Sequence, residues 1–197
     1  LIYADGLKEE YEILEEFEQR IDDFEKKKPK CIITSGLESI GRRTFLKYAL
    51  HKTDIISENY VINTIYLTTD DSIEDFIFKI NDLGFLNIDH ELRDLLSKNQ
   101  EYKINIALKL LKEIQDNDEL ILILDNGCIV NFERKFSNWF KQIVESDTLE
   151  NKITICTASK YKVDFRETYG ENYFSLYVND LNVSERKRLF ARLLEIY

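Results

Sequence analysis

Gly36 and Gly41 are followed at once by two arginines and a threonine, Arg42, Arg43 and Thr44. The chemistry open to such a stretch is the binding of phosphate. Small residues let the backbone wrap closely round an anion with its N–H groups pointing inward. A helix that starts straight afterwards adds its positive end. In the pattern G-x-x-x-x-G-K-[ST] the lysine reaches the outer phosphates and the hydroxyl binds Mg²⁺. Here Arg42 stands in place of that lysine and Arg43 in place of the Ser or Thr. Arg42 keeps the charge but is planar and bulkier. Arg43 is no metal ligand, and Thr44 comes one residue late, about 100° further round a helix of about 3.6 residues per turn. The candidate nucleotide-binding residues are therefore Gly36, Ser39, Ile40, Gly41, Arg42, Arg43 and Thr44. The plainer alternative is a glycine-containing turn from strand to helix with no ligand.

Leu120-Ile121-Leu122-Ile123-Leu124 is an unbroken aliphatic run that ends on Asp125. Such a run reads as a strand buried on both faces. Its acid would emerge at the carboxyl edge of a parallel sheet, where ligands bind, and would hold Mg²⁺ through water. Asn126 occupies the place where a second acid would polarise an attacking water; an amide orients water but takes no proton. A neighbouring strand ends Thr157-Ala158-Ser159-Lys160, and Thr157 or Ser159 would sense a terminal phosphate there. Against these roles stand a strand-end turn before Asn126-Gly127 and an ordinary polar strand end.

These residues need a frame. Residues 7–26 carry apolar side chains at three- and four-residue steps and predict an amphipathic helix stopped by Pro29. Strands are expected at 31–34, 61–67, 120–124, 153–157 and 173–178. Helices are expected at 42–51, over Ile73 to Ile80, near 89–97, at 103–115, at 131–145, and from a capping box at Asn182 and Glu185 onward. Strands alternating with helices predict an α/β fold: a central, mainly parallel five-stranded sheet flanked by helices in three layers. One domain is the economical reading of 197 residues.

Composition excludes several classes. A net charge of −10 argues against a nucleic-acid binder. The basic clusters at Lys26, Lys27, Lys28 and Lys30 and at Arg186, Lys187 and Arg188 read as solvated helix ends. The three cysteines, Cys31, Cys128 and Cys156, form no C-x-x-C pair, and with two histidines no zinc spacing exists. They read as reduced, mostly buried thiols of a cytoplasmic protein. No signal peptide and no membrane-length apolar run is present. The chain lacks Met and opens on Leu1, which reads as a segment of a longer protein.

Taken in order, these features resemble the STAND class of P-loop NTPases, relatives of AAA+ proteins that include NACHT and NB-ARC domains. Ser35 to Leu46 resembles its Walker A loop, Leu120 to Asp125 its Walker B strand, Val61 to Asp75 its second strand and following helix start, and Val178 to Glu185 its turn into a helical lid. The resemblance implies a three-layer P-loop NTPase fold, with 1–180 as the nucleotide-binding domain and 181–197 as the first helix of a truncated lid. It implies an ATP- or ADP-binding switch with Mg²⁺, effector and sensor domains outside this segment, and homo-oligomerisation on triggering. Prokaryotic members serve immunity, including antiviral defence. Arg42, Arg43 and Asn126 depart from the pattern and predict weak or absent hydrolysis. The Gly-Arg pair that seats adenine in the family is Gly6-Leu7 here. The rival reading is a pseudo-NTPase scaffold, in which Arg42 or Arg43 pairs with Glu38 or Asp125 and fills the pocket. Arg134 and Arg166 are candidate arginine fingers.

Overall fold

Cys31–Ser35, the five residues before Gly36, form strand β1, buried along its whole length. In the computed structural model, which describes residues 28–36 and 41–178 together with Val183 and Lys187, four further strands pair with it. They are β2 (Asn63–Thr68), β3 (Ile121–Asn126), β4 (Ile155–Ser159) and β5 (Tyr173–Tyr177). The order is β2-β3-β4-β1-β5, and every pairing is parallel. The expected adjacency of the strand ending in Asp125 and the strand ending in Ser159 holds, with those two residues in register.

The helices are α1 (Arg42–Lys52), α2 (Ile73–Asn81), the short α3 (Asp89–Leu92), α4 (Gln100–Asp116) and α5 (Asn138–Val144), with a 3₁₀ turn at Leu95–Ser97. Successive strand residues face opposite sides, and two separate apolar cores follow. On one side Ile32, Leu122 and Cys156 meet Phe45, Leu46 and Leu50 of α1. On the other side Ile33, Ile123 and Leu67 meet Phe76, Leu111 and Phe140 of α2, α4 and α5. Each fully buried side chain of this size contributes about 1.5–3 kcal/mol. Helices on both faces of a parallel sheet make the expected three layers.

Local chemistry sets the helix starts. Ser72 and Asp75 cap α2 reciprocally: Ser72 N–H donates to the Asp75 carboxylate at 2.8 Å and Asp75 N–H to Ser72 Oγ at 3.5 Å. Asn99 caps α4 through Tyr102 N–H at 2.9 Å, so that helix begins three residues before the expected 103.

Two expectations are corrected. The helix expected at 131–145 starts only at Asn138. Its first half is a tight excursion with Val130 bridged to Phe136 and Arg134 at φ 68°, and Phe132, expected on the apolar stripe, is 77% exposed. Asn131 closes this excursion instead: its N–H donates to the Lys135 carbonyl at 3.0 Å, and its Oδ1 accepts Lys135 N–H at 3.0 Å. Lys30, read as a solvated charge, is 4% exposed and donates from Nζ to the Ser146 carbonyl at 2.7 Å. All three cysteines are buried and free, as expected. The helix at 7–26, the loop positions 37–40 and the lid turn and helix lie outside the described residues, apart from Val183 and Lys187, which are helical and exposed. No described helix is long and apolar enough to cross a membrane.

Tyr60 ties the segment before β2 to the start of β3. Its hydroxyl donates to the Glu119 carboxylate and accepts the Leu120 amide at 3.1 Å. Burial, together with that bond to Glu119, pushes its phenol from about 10 up to about 12. The folded state then holds the proton where the unfolded chain releases it. This contribution is fully present below pH 10 and is lost as pH rises through about 12. Urea midpoints followed from pH 9 upward should therefore fall more steeply for the natural chain than for Tyr60→Phe; parallel curves would remove Tyr60 from the linkage.

Candidate functional site

Gly41, immediately before α1, sits at φ 91°, in the left-handed region that penalises a Cβ. Its carbonyl accepts Phe45 N–H at 2.8 Å, so α1 starts sharply at Arg42. Gly41 supplies no capping side chain, and the first turn of α1 carries no acid. Helix N-terminal amides ordinarily find such an acceptor. Here two cations sit at the positive end of the helix instead, where they oppose its dipole.

Adjacent strands β1 and β4 send the chain to opposite faces, α1 to one and Tyr161 and Val163 to the other. A crevice at the carboxyl edge is the result. It is a cleft of about 440 Å³ bordered by Gly41, Arg42, Arg43, Tyr66, Asn126 and Ala158. The structure thus brings Gly41, Arg42 and Arg43 to one wall. Gly36 lies buried at the end of β1, Thr44 is absent from the cleft wall, and Ser39 and Ile40 lie outside the described residues.

Asp125 borders the cleft yet is only 2% exposed. Its Oδ1 accepts the amides of Gly127 at 3.1 Å, Cys128 at 2.8 Å and Ile129 at 2.8 Å. Its Oδ2 accepts the amide of Val130 at 3.0 Å and the hydroxyl of Ser159 at 2.8 Å. A carboxylate offers about four lone-pair positions, and five donors occupy them. Neither Arg42 nor Arg43 is among those donors. A cation at Asp125 would have to displace a loop, and among the described residues no three His, Cys, Asp or Glu side chains converge. This donor set does not fit Mg²⁺.

The captured loop is tied to its neighbours. Thr69 Oγ1 donates to the Asn126 carbonyl at 3.0 Å, Cys128 Sγ donates to the Asp71 carbonyl at 3.2 Å, and Lys160 N–H donates to the Asp125 carbonyl at 2.9 Å. Burial, followed by the charges of Asp125 and Asp71, pushes the Cys128 thiol up to about 12, so it stays a protonated donor. Gly127 is at φ 106°, and a Cβ there would stand 3.0 Å from Thr69 Oγ1.

The expected sensor residues face away from the cleft. Ala158 packs on the α1 side, so Thr157 and Ser159 point to the other, and Ser159 is committed to Asp125. Among the described residues Thr34 Oγ1 and Ser35 Oγ on β1 are buried with no oxygen or nitrogen partner, and the buried Thr157 hydroxyl lies against the Cys31 thiol. Buried hydroxyls are nearly always paired, so the strand ends retain polarity that packing alone does not call for. Arg134 donates to the Lys162 carbonyl at 3.1 Å, and Arg166 grips Asp164 at 3.0 and 3.1 Å, both locally engaged. Sequence reasoning missed Tyr66, Thr34 and Ser35. Only the period-2 pattern of β2, with Tyr66 between Ile65 and Leu67, hinted that an aromatic ring faces outward.

No protein-family model matches the chain, and no curated protein matches it in sequence. Solved structures share its fold. A STAND protein (signal transduction ATPase with numerous domains) with a tetratricopeptide repeat sensor from Pyrococcus horikoshii superposes at TM-score 0.57 and 12% identity, over 96% of this chain and 25% of that one. The ORC2 protein of Aeropyrum pernix, solved in ADPNP and ADP complexes, gives 0.55 and 12% over 98% and 54%. The ORC1 protein of the same organism, solved with DNA, gives 0.55 and 11% over 98% and 52%. The chain spans a quarter to about half of these proteins. At such identities the likeness establishes the fold: an all-parallel, five-stranded α/β sheet of the P-loop NTPase type.

Asp125→Asn turns an amide N–H₂ toward donors and strands at least one buried amide. It should lower unfolding free energy by about 3 kcal/mol or more, measured by urea titration in EDTA without nucleotide. An acid whose work was metal binding would leave that ligand-free stability nearly unchanged.

Proposed function

We propose that this chain is the nucleotide-binding switch domain of a multidomain, STAND-like signalling protein, and that it binds the phosphates of ATP or ADP without metal and does not hydrolyse them. The observation that carries the reading is the pairing of two facts at one edge. Arg42 and Arg43 line an open cleft at the start of α1, whose N-cap Gly41 offers no side-chain acceptor, while the acid that hydrolysis would use is held by five internal donors. Arginine charge on a helix N-terminus is stabilised by an anion between them. The ADPNP and ADP complexes of the ORC2 relative in fold support a nucleotide as that anion.

In this reading residues 1–180 form the nucleotide-binding unit and 181–197 begin a lid, with effector and sensor parts elsewhere in the full protein. A net charge of −10 supports protein rather than nucleic acid as the partner. Homo-oligomerisation, cytoplasmic location and a role in bacterial immune defence rest on the resemblance to STAND proteins. The scaffold reading needs Arg42 or Arg43 paired with Glu38 or Asp125; the five donors of Asp125 give the second pairing less support, and Glu38 lies outside the described residues.

Calorimetric titration with ATP, ADP and inorganic pyrophosphate should show binding of all three. Arg42→Ala and Arg43→Ala should each weaken it at least tenfold, about 1.4 kcal/mol, with no phosphate release from ATP. Unchanged affinity in the double variant, or Mg²⁺-dependent turnover, would contradict the proposal.

A further inference from the structure

We infer that the outer edge of β2 is a pairing edge for a second copy of this chain, held shut by Lys79 and Asp71. Among the described strands β2 stands last in the sheet and pairs with β3 alone. Along a strand, the N–H and C=O groups of successive residues face opposite sides in the plane of the sheet. Two bonds identify the set that faces outward. Lys79 Nζ donates to the Tyr66 carbonyl at 2.8 Å, and the Thr68 N–H donates to Asp71 Oδ2. Thr64, Tyr66 and Thr68 therefore turn their backbone groups away from β3. Among the described residues nothing is bonded to the N–H and C=O of Thr64 or to the N–H of Tyr66.

Another strand completes such groups at a sheet edge, and the sequence favours an identical one. Residues 60–69, Tyr-Val-Ile-Asn-Thr-Ile-Tyr-Leu-Thr-Thr, carry no charge, no Gly and no Pro, the composition of a segment that pairs with its own copy. Antiparallel pairing centred on Ile65 is self-complementary across a two-fold axis. Thr64 of each copy then meets Tyr66 of the other, and each such pair exchanges two backbone bonds. The Tyr66 ring, 61% exposed although it sits mid-strand between the buried Ile65 and Leu67, would lie against the second copy's Thr64. Aromatic and β-branched side chains make favourable cross-strand pairs.

Lys79 blocks this contact. Its ammonium occupies the carbonyl that a second copy would use and is fixed there by Asp71 Oδ1 at 2.9 Å. Asp71 also takes the Thr68 hydroxyl at 3.0 Å, which closes the far end of the edge. A lysine placed on an exposed edge is a known defence against edge-to-edge pairing. The Asp71 carbonyl accepts the Cys128 thiol at 3.2 Å, so the guard is tied to the loop over Asp125. The inference stands apart from the phosphate reading, because no nucleotide enters it.

The test is analytical ultracentrifugation of the natural chain, of Lys79→Ala, and of Lys79→Ala combined with either Thr64→Pro or Tyr66→Lys, with urea midpoints confirming each fold. Thr64→Pro removes an outward N–H and spares the bonds to β3. Lys79→Ala should dimerise at least tenfold more tightly than the natural chain, and each second change should return it to monomer. Hydrogen exchange should find the Thr64 and Tyr66 amides protected in the dimer and open in the monomer. Lys79→Ala that stays monomeric, or dimerises no more tightly than the natural chain, overturns the inference. So does a dimer that survives either second change in a folded chain, or one that leaves those two amides unprotected.

Discussion

The carboxylate of Asp125, closed over by four backbone amides and one serine hydroxyl, is the contact on which the functional edge depends. It sits at the carboxyl end of a strand buried on both faces, where an unpaired charge would be prohibitive. The loop from Gly127 to Val130 satisfies that charge by wrapping its N–H groups round it. Beyond it the chain turns back through the Val130–Phe136 bridge, with Arg134 in the left-handed region and Phe132 outside, and α5 starts only at Asn138. The acid at the end of β3 is thus the hub of a loop.

The hub joins three connections. Ser159 and the Lys160 amide bring in the end of β4, and Thr69 and Cys128 bind the segments after β2 and β3 to one another. What remains open beside them is a cleft whose charge comes from Arg42 and Arg43, with Asp125 withdrawn beneath its loop. The proposed function follows from this arrangement: a site that holds an anion rather than breaking one. Hydrolysis needs a metal or a base near the outer phosphate, and Asn126 supplies neither.

Much of the fold was legible in the sequence, because its signals are local and strong. The aliphatic run before Asp125 and the Cys31–Thr34 strand have no polar residue to bury except at the edge. The stripe through Ile104, Leu108 and Leu111 is helical at any boundary, and the order of strand, glycine loop and helix placed Arg42 and Arg43 correctly at a helix start. The direction of the strand-end side chains was not legible. Asp125, Thr157 and Ser159 have the right types and positions in the chain, but strand alternation turns them from the wall where Ala158 and Tyr66 stand. Whether a carboxylate meets solvent or its own loop depends on the backbone of residues 127–130, whose sequence Gly-Cys-Ile-Val announces neither outcome. Phe132 and Trp139 looked like one helical stripe for the same reason: periodicity does not register a turn closed by Asn131 and Lys135.

Affinity for ADP measured in EDTA and again in excess Mg²⁺ tests the sequestered acid most directly. With Asp125 held by its loop, the two dissociation constants agree within about twofold, a difference under about 0.5 kcal/mol. Binding tightened tenfold or more by Mg²⁺, and no longer tightened in Asp125→Asn, would mean that the carboxylate leaves its five donors to hold a metal.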